Sequence, residues 1–246
     1  MRYIRLAIAY IIIIPLLFLS VLYAFVPAWI LQLFRAKKAA NHWLRICGRG
    51  ISKASFFCLG VTVAVDGREN LPSETNICYV ANHLSLLDIL SFVGPADLWA
   101  YIIAKAELRR VPIVNLWCMA IGCIFIERKN PRSSVKAILD GVNLLKHGDS
   151  LLIFPEGTRS KTGRIGELKK GSLKLATRAK AIIVPITIVG TRLGFEDLKG
   201  CKRIHASLSI GKPIPTADLT PEEMEDLPQV VYGEISKRFV ELSDNT

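Results

Sequence analysis

Residues 77–88 read ICYVANHLSLLD, and their reading decides the fold. Residues 77–81 are a short run of apolar and β-favouring side chains, Asn82 and His83 break it with polarity, and Ser85-Leu86-Leu87-Asp88 has the form of a helix start. A strand that passes through a short loop into a helix is half of a crossover unit, and the chain repeats the pattern. β-rich runs at 61–65, 77–81, 100–104, 123–127, 151–154, 182–189 and 206–210 alternate with helical stretches at about 86–92, 112–120, 133–147, 171–179 and 221–242. This predicts an α/β domain, a mixed sheet flanked by helices, over 61–246.

Upstream the composition changes. Residues 6–34 contain no charged side chain, a run that as a helix would extend about 43 Å against a hydrocarbon core of about 30 Å. It is also longer than the apolar core of a signal peptide. Pro15 and Pro27 favour kinks, and both flanks are basic, Arg2 and Arg5 before and Arg35, Lys37 and Lys38 after. Basic flanks favour the cytoplasmic side, so both ends are expected there, with the helix dipping into one leaflet. At helical spacing, residues 37–57 bring Trp43, Ile46, Cys47, Ile51, Ala54 and Phe57 to one face and Lys38, Arg45, Arg49 and Lys53 largely elsewhere. Residues 1–60 therefore read as an N-terminal two-helix membrane-binding motif that delivers the α/β body to lipid.

Charge agrees with that reading. Lys plus Arg number 32 against 21 Asp plus Glu in 246 residues, a formal +11 that calls for an anionic partner. Nucleic acid and anionic lipid both qualify, and the uncharged segment favours membrane lipids over nucleic acid. The six cysteines form no CxxC pair and have no histidine placed to complete a metal site. They read as small buried hydrophobes in a reducing compartment.

Polar clusters follow three of the expected strands: Asn82 to Asp88, Glu127 to Asn130, and Pro155 to Ser160. Ligands of open α/β sheets bind at the carboxyl ends of the strands, so the clusters are expected to converge on one crevice. His83 and Asp88 have the chemistry of a general base and the carboxylate that orients it. Five residues apart they would point about 140° apart on a helix, so they meet only if His83 lies in the preceding loop. Asp88 could instead close a capping box begun by Ser85. In FPEGTRS, residues 154–160, Gly157 admits an anion to backbone amides, Thr158 offers a hydroxyl and Arg159 can hold two phosphate oxygens. Lys169 and Lys170 add positive charge at the next helix start.

With these residues the chain resembles the glycerophospholipid acyltransferase family, and within it the 1-acylglycerol-3-phosphate acyltransferases. The resemblance covers about 61–211 and rests on blocks at 82–88, 122–128, 154–160 and 184–188, the first and third carrying most weight. It implies that His83 is the catalytic base and Asp88 its partner, and that Arg128, Glu156, Gly157, Thr158 and Arg159 hold a glycerophosphate. Lys105 matches a family position near the phosphate, and Val184-Pro185-Ile186 a structural or acyl-donor element. Glu127 stands where the family commonly has Asp before the Arg. The expected reaction moves a fatty acyl group from acyl-CoA or acyl-ACP to the sn-2 hydroxyl of lysophosphatidic acid, giving phosphatidic acid, on the cytoplasmic face of the membrane. No cofactor beyond the thioester co-substrate and no metal is implied. The oxyanion donor would be a backbone amide near the start of the helix that follows His83. Two rivals remain at this stage, another acceptor such as glycerol-3-phosphate and a non-catalytic anionic-lipid-binding protein.

Overall fold

The computed structural model describes residues 2–127, 130–169, 171–197 and 203–244, with the side chains of 2–6 and 8 left aside. Its elements are α1 (Arg2–Ser20), a π-helical turn (Val21–Phe25), α2 (Val26–Leu33), α3 (Lys37–Leu59), β1 (Val61–Asp66), β2 (Ile77–Ala81), α4 (Leu87–Val93) and β3 (Tyr101–Lys105). They continue with α5 (Val114–Ile121), β4 (Ile124–Ile126), α6 (Pro131–Lys146), β5 (Leu151–Ile153), α7 (Lys174–Arg178), β6 (Ile182–Val189), α8 (Thr191–Gly194), β7 (Ile204–Ile210), β8 (Ile214–Pro215) and α9 (Pro221–Ser243). Each strand expected from the sequence is present. The sequence reading missed β8 and α8.

One sheet runs in the order β1-β7-β6-β2-β5-β3-β4, with β8 added antiparallel to the start of β6. From β6 to β4 every pairing is parallel, whereas β7 turns antiparallel to β6 and carries β1 with it. The parallel strands are covered on both faces, which explains their continuous apolar runs. On β2, Cys78 and Val80 pack with Leu151, Ile153 and Ile183 beneath α6, α7 and α9. Ile77, Tyr79 and Ala81 face the other way, with Ile102, Leu152, Val184 and Phe92 of α4. Because β2, β3, β5 and β6 run the same way, residues 82, 106, 154 and 190 all leave the sheet at one edge.

The first helices form a hairpin. α1, the π-helical turn and α2 run as one apolar rod, and α3 returns along it until Gly60, at φ 57°, turns the chain into β1. Pro15 lies within α1 and Pro27 at the start of α2, just after the π-helical turn. The buried face of α3 is Ala40, Leu44, Cys47, Ile51, Ser52, Ser55, Phe56 and Leu59. The stripe expected from the sequence divides, since Cys47 and Ile51 are buried whereas Ile46 and Phe57 are exposed. α3 has two apolar faces, one packed inward and one outward, and simple periodicity averages them. The packing also crosses the boundary near residue 60: Phe56 and Leu59 share a core with Val61 and Leu87, and Ser52 Oγ donates to Leu90 O at 2.6 Å. α3 thus supports the helix that carries Asp88.

Candidate active site

β2 ends at Ala81, and Asn82 continues its pairing by side chain, Nδ2 donating to Ile188 O and Oδ1 accepting from Ile188 N, both at 2.8 Å. The amide acts as a backbone surrogate and fixes the direction in which the next residue leaves the sheet. His83 then lies in the loop before α4, the placement the geometry requires, and its Nδ1 stands 2.8 Å from Asp88 Oδ2. That same oxygen accepts from the amides of Leu84 at 2.7 Å and Ser85 at 2.8 Å, and Oδ1 accepts from Thr191 Oγ1 at 2.6 Å. The other three partners of Asp88 all donate, so the network assigns the proton of a neutral His83 to Nδ1 and leaves Nε2 with the lone pair. Asp88 is fully buried, and the ring of His83 stacks on Phe154 with centroids 4.0 Å apart. The orienting and capping readings of Asp88 are one structure: the carboxylate closes the start of α4 and holds the imidazole with the same oxygen.

The loop after β5 clamps His83 from both sides. His83 N donates to Glu156 Oε1 at 2.7 Å, and His83 O accepts from Ser160 N at 2.8 Å. Glu156 Oε2 accepts from Gly166 N at 2.9 Å, so both oxygens of this buried side chain hold backbone. Burial raises the pKa of Glu156, against the opposing pull of those two amides. Gly157, at φ 68°, brings its backbone so near Lys169 that an added Cβ would stand 2.6 Å from Lys169 Cε. Arg159 Nη1 pairs with Glu196 Oε1 at 2.9 Å.

The family model described as Acyltransferase matches residues 62–189, a span that holds His83, Asp88 and the Glu156–Arg159 loop. The chain belongs to the acyltransferase family. It is 30% identical over 192 residues, 78% of this chain and 77% of the other, to the 1-acyl-sn-glycerol-3-phosphate acyltransferase of Borreliella burgdorferi. Over 157 residues it is 36% identical to the chloroplastic LPAT1 of Arabidopsis thaliana, a match covering 63% of this chain and 42% of that one. The crystal structure of the 1-acyl-sn-glycerophosphate acyltransferase PlsC from Thermotoga maritima superposes with a TM-score of 0.77 and 28% identity, over 98% of each chain.

In this acyltransferase the strand-end loops open onto a cavity of about 580 Å³. His83, Lys105, Thr158, Arg159 and Lys169 line it together, with apolar walls from β3, β4, β5, α5 and α6. Among the described lining residues there is no carboxylate and no second imidazole. Lys105 Nζ also pairs with Glu107 at 2.9 Å. Glu156, placed against the acceptor by the sequence reading, is not part of this lining, and its oxygens accept from His83 N and Gly166 N. Arg128, Lys170 and Cys201 lie outside the described residues. The five described cysteines are free thiols, and burial pushes that of Cys78 up to about 12.

Sequence reasoning missed Thr191 and Glu196. Both follow β6 at the same sheet edge, so the strand-end rule applied to the first three clusters would have reached Thr191. The amides expected to offer an oxyanion donor are engaged: Leu84 and Ser85 donate to Asp88, Leu86 to Glu196 at 3.0 Å and Leu87 to Ser85 Oγ at 3.0 Å.

Proposed function

We propose that this acyltransferase moves a fatty acyl group from a thioester, carried on CoA or acyl carrier protein, to the sn-2 hydroxyl of lysophosphatidic acid. The observation that carries the reading is the 2.8 Å contact of His83 Nδ1 with Asp88 Oδ2 on the wall of a cavity that joins apolar side chains to the cations Lys105, Arg159 and Lys169. An apolar cavity suits an acyl chain, gaining about 0.8 kcal/mol for each CH₂ removed from water. The cations suit a phosphate.

His83 Nε2 takes the hydroxyl proton as the oxygen attacks the thioester carbonyl. Asp88 stabilises the imidazolium that forms, and the proton then passes to the departing thiolate. The C–O ester bond forms as the C–S bond breaks. Glu156 and Asn82 hold His83 in line without touching substrate.

An acyltransferase assay with lysophosphatidic acid, glycerol-3-phosphate and monoacylglycerol, each with both thioester carriers, tests the proposal. Lysophosphatidic acid is expected to be the best acceptor. Loss of Arg159 should act on the phosphate-bearing acceptor: in Arg159→Ala its KM should rise about tenfold, the scale of a hydrogen bond to a charged group, with the donor KM nearly unchanged. An equal effect on monoacylglycerol would remove Arg159 from the phosphate site.

The N-terminal hairpin supports a one-leaflet attachment. Residues Ala9–Leu33 are long and apolar enough to cross a bilayer by length and composition. Yet the rod rests on the catalytic body at two separate points. Ala9 packs with Ala206, and Tyr10 meets Phe195 edge to face. About 24 Å further along, at 1.5 Å per residue, Phe25 packs on Trp117 of α5, whose Nε1 donates to Ser20 Oγ at 3.0 Å. A rod fastened to the body at two points this far apart lies along it, and the segment presents Ile11, Phe18, Leu22, Leu33 and Phe34 outward. Single cysteines placed at Arg2 and Lys38 in a cysteine-free background should be labelled from the same side of sealed vesicles. Labelling from opposite sides would establish a true span.

A further inference from the structure

Glu196 lies beyond the matched residues 62–189, yet its carboxylate reaches the heart of the site. Oε2 accepts from Ser85 Oγ at 2.6 Å, and Oε1 accepts from Leu86 N at 3.0 Å and from Arg159 Nη1 at 2.9 Å. The segment bearing it is pinned independently: Thr191 Oγ1 donates to Asp88 Oδ1, Arg192 Nη1 donates to Ser160 O at 2.7 Å, and Arg192 pairs with Asp197. The Glu196 carboxylate can therefore move by side-chain rotation while its backbone stays docked.

A hydroxyl, an amide and a guanidinium converging on one carboxylate are also the donors that phosphate oxygens use. A phosphate brought to Arg159 would lie against the negative charge of Glu196, and two anions cannot share one guanidinium without mutual repulsion. We propose, resting on the phosphate reading of Arg159, that Glu196 is a resident anion of the acceptor site. Its carboxylate holds Arg159 until the phosphate of the incoming acceptor displaces it, and this competition sets the affinity for phosphate-bearing acceptors.

Glu196→Gln keeps the shape and an oxygen acceptor but removes the charge. In this variant the KM for lysophosphatidic acid should fall about twofold to fivefold, the scale of a half-exposed ion pair. The KM for monoacylglycerol should stay put, since no phosphate competes there. In an Arg159→Ala background the same substitution should no longer lower KM, because the contested cation is gone. A raised KM for lysophosphatidic acid, or turnover reduced alike for both acceptors, would make Glu196 a positioning residue for the His83 loop and overturn the proposal. The phosphate reading fails separately, if Arg159→Ala alone does not distinguish the two acceptors.

Discussion

Replacing His83 with alanine should lower turnover by about 10²-fold to 10⁴-fold, the range for losing a positioned general base. The described lining of the cavity offers no substitute, since it contains no carboxylate and no second imidazole. The loss should be one of chemistry, because the contacts that shape the loop are made by the backbone of His83 and survive the substitution: N with Glu156 and O with Ser160. Asp88 keeps the Leu84 and Ser85 amides and the Thr191 hydroxyl, so its burial remains compensated. What disappears is the imidazole and its stack on Phe154. Thermal unfolding should therefore shift little, and binding of lysophosphatidic acid, measured directly, should be largely retained. Turnover above a tenth of the parent would remove His83 from the mechanism.

The strands were legible because a two-sided parallel sheet writes itself as short apolar runs separated by polar loops, and 77–81 and 182–189 have that form. The meeting of His83 with Asp88 was legible because both lie in one loop-to-helix passage, where local geometry limits the choices. The contacts of Glu156 were not legible, for the opposite reason. Beside Gly157 and Arg159 it reads as part of a polar loop facing ligand, and only the folded chain shows His83 N 73 residues away claiming one oxygen. Thr191 reaches Asp88 across 103 residues, and no local pattern encodes such a contact. The outward position of Phe57 was hidden because a helix with one apolar face packed inward and another exposed has no single apolar stripe.

Asp88→Asn separates the two tasks that one carboxylate performs. The amide oxygen can replace Oδ2, accepting from the Leu84 and Ser85 amides and from His83 Nδ1, while the NH₂ group takes the place of Oδ1. There it meets Thr191 Oγ1, a hydroxyl that can turn to accept. The reverse orientation would aim an NH₂ at two backbone N–H donors, so the first is strongly favoured. The start of α4 and the Nδ1–H tautomer are then both preserved, and the negative charge alone is lost. A cap contributes about 1 kcal/mol and here is kept, so the melting temperature should fall by only a few degrees. The buried charge that balances an imidazolium is a larger matter, and its removal should lower turnover per folded molecule by about 10²-fold to 10³-fold. Full activity per folded molecule would show that Asp88 serves only to close the helix. A variant that fails to fold would show that the network does not tolerate the amide, and Asp88→Glu would then be the second test. That residue keeps the charge but, one methylene longer, cannot place it between Nδ1 and both amides at once. It should stay well below a tenth of parental turnover, and near-normal activity from it would exclude the precise orientation of His83 by Asp88.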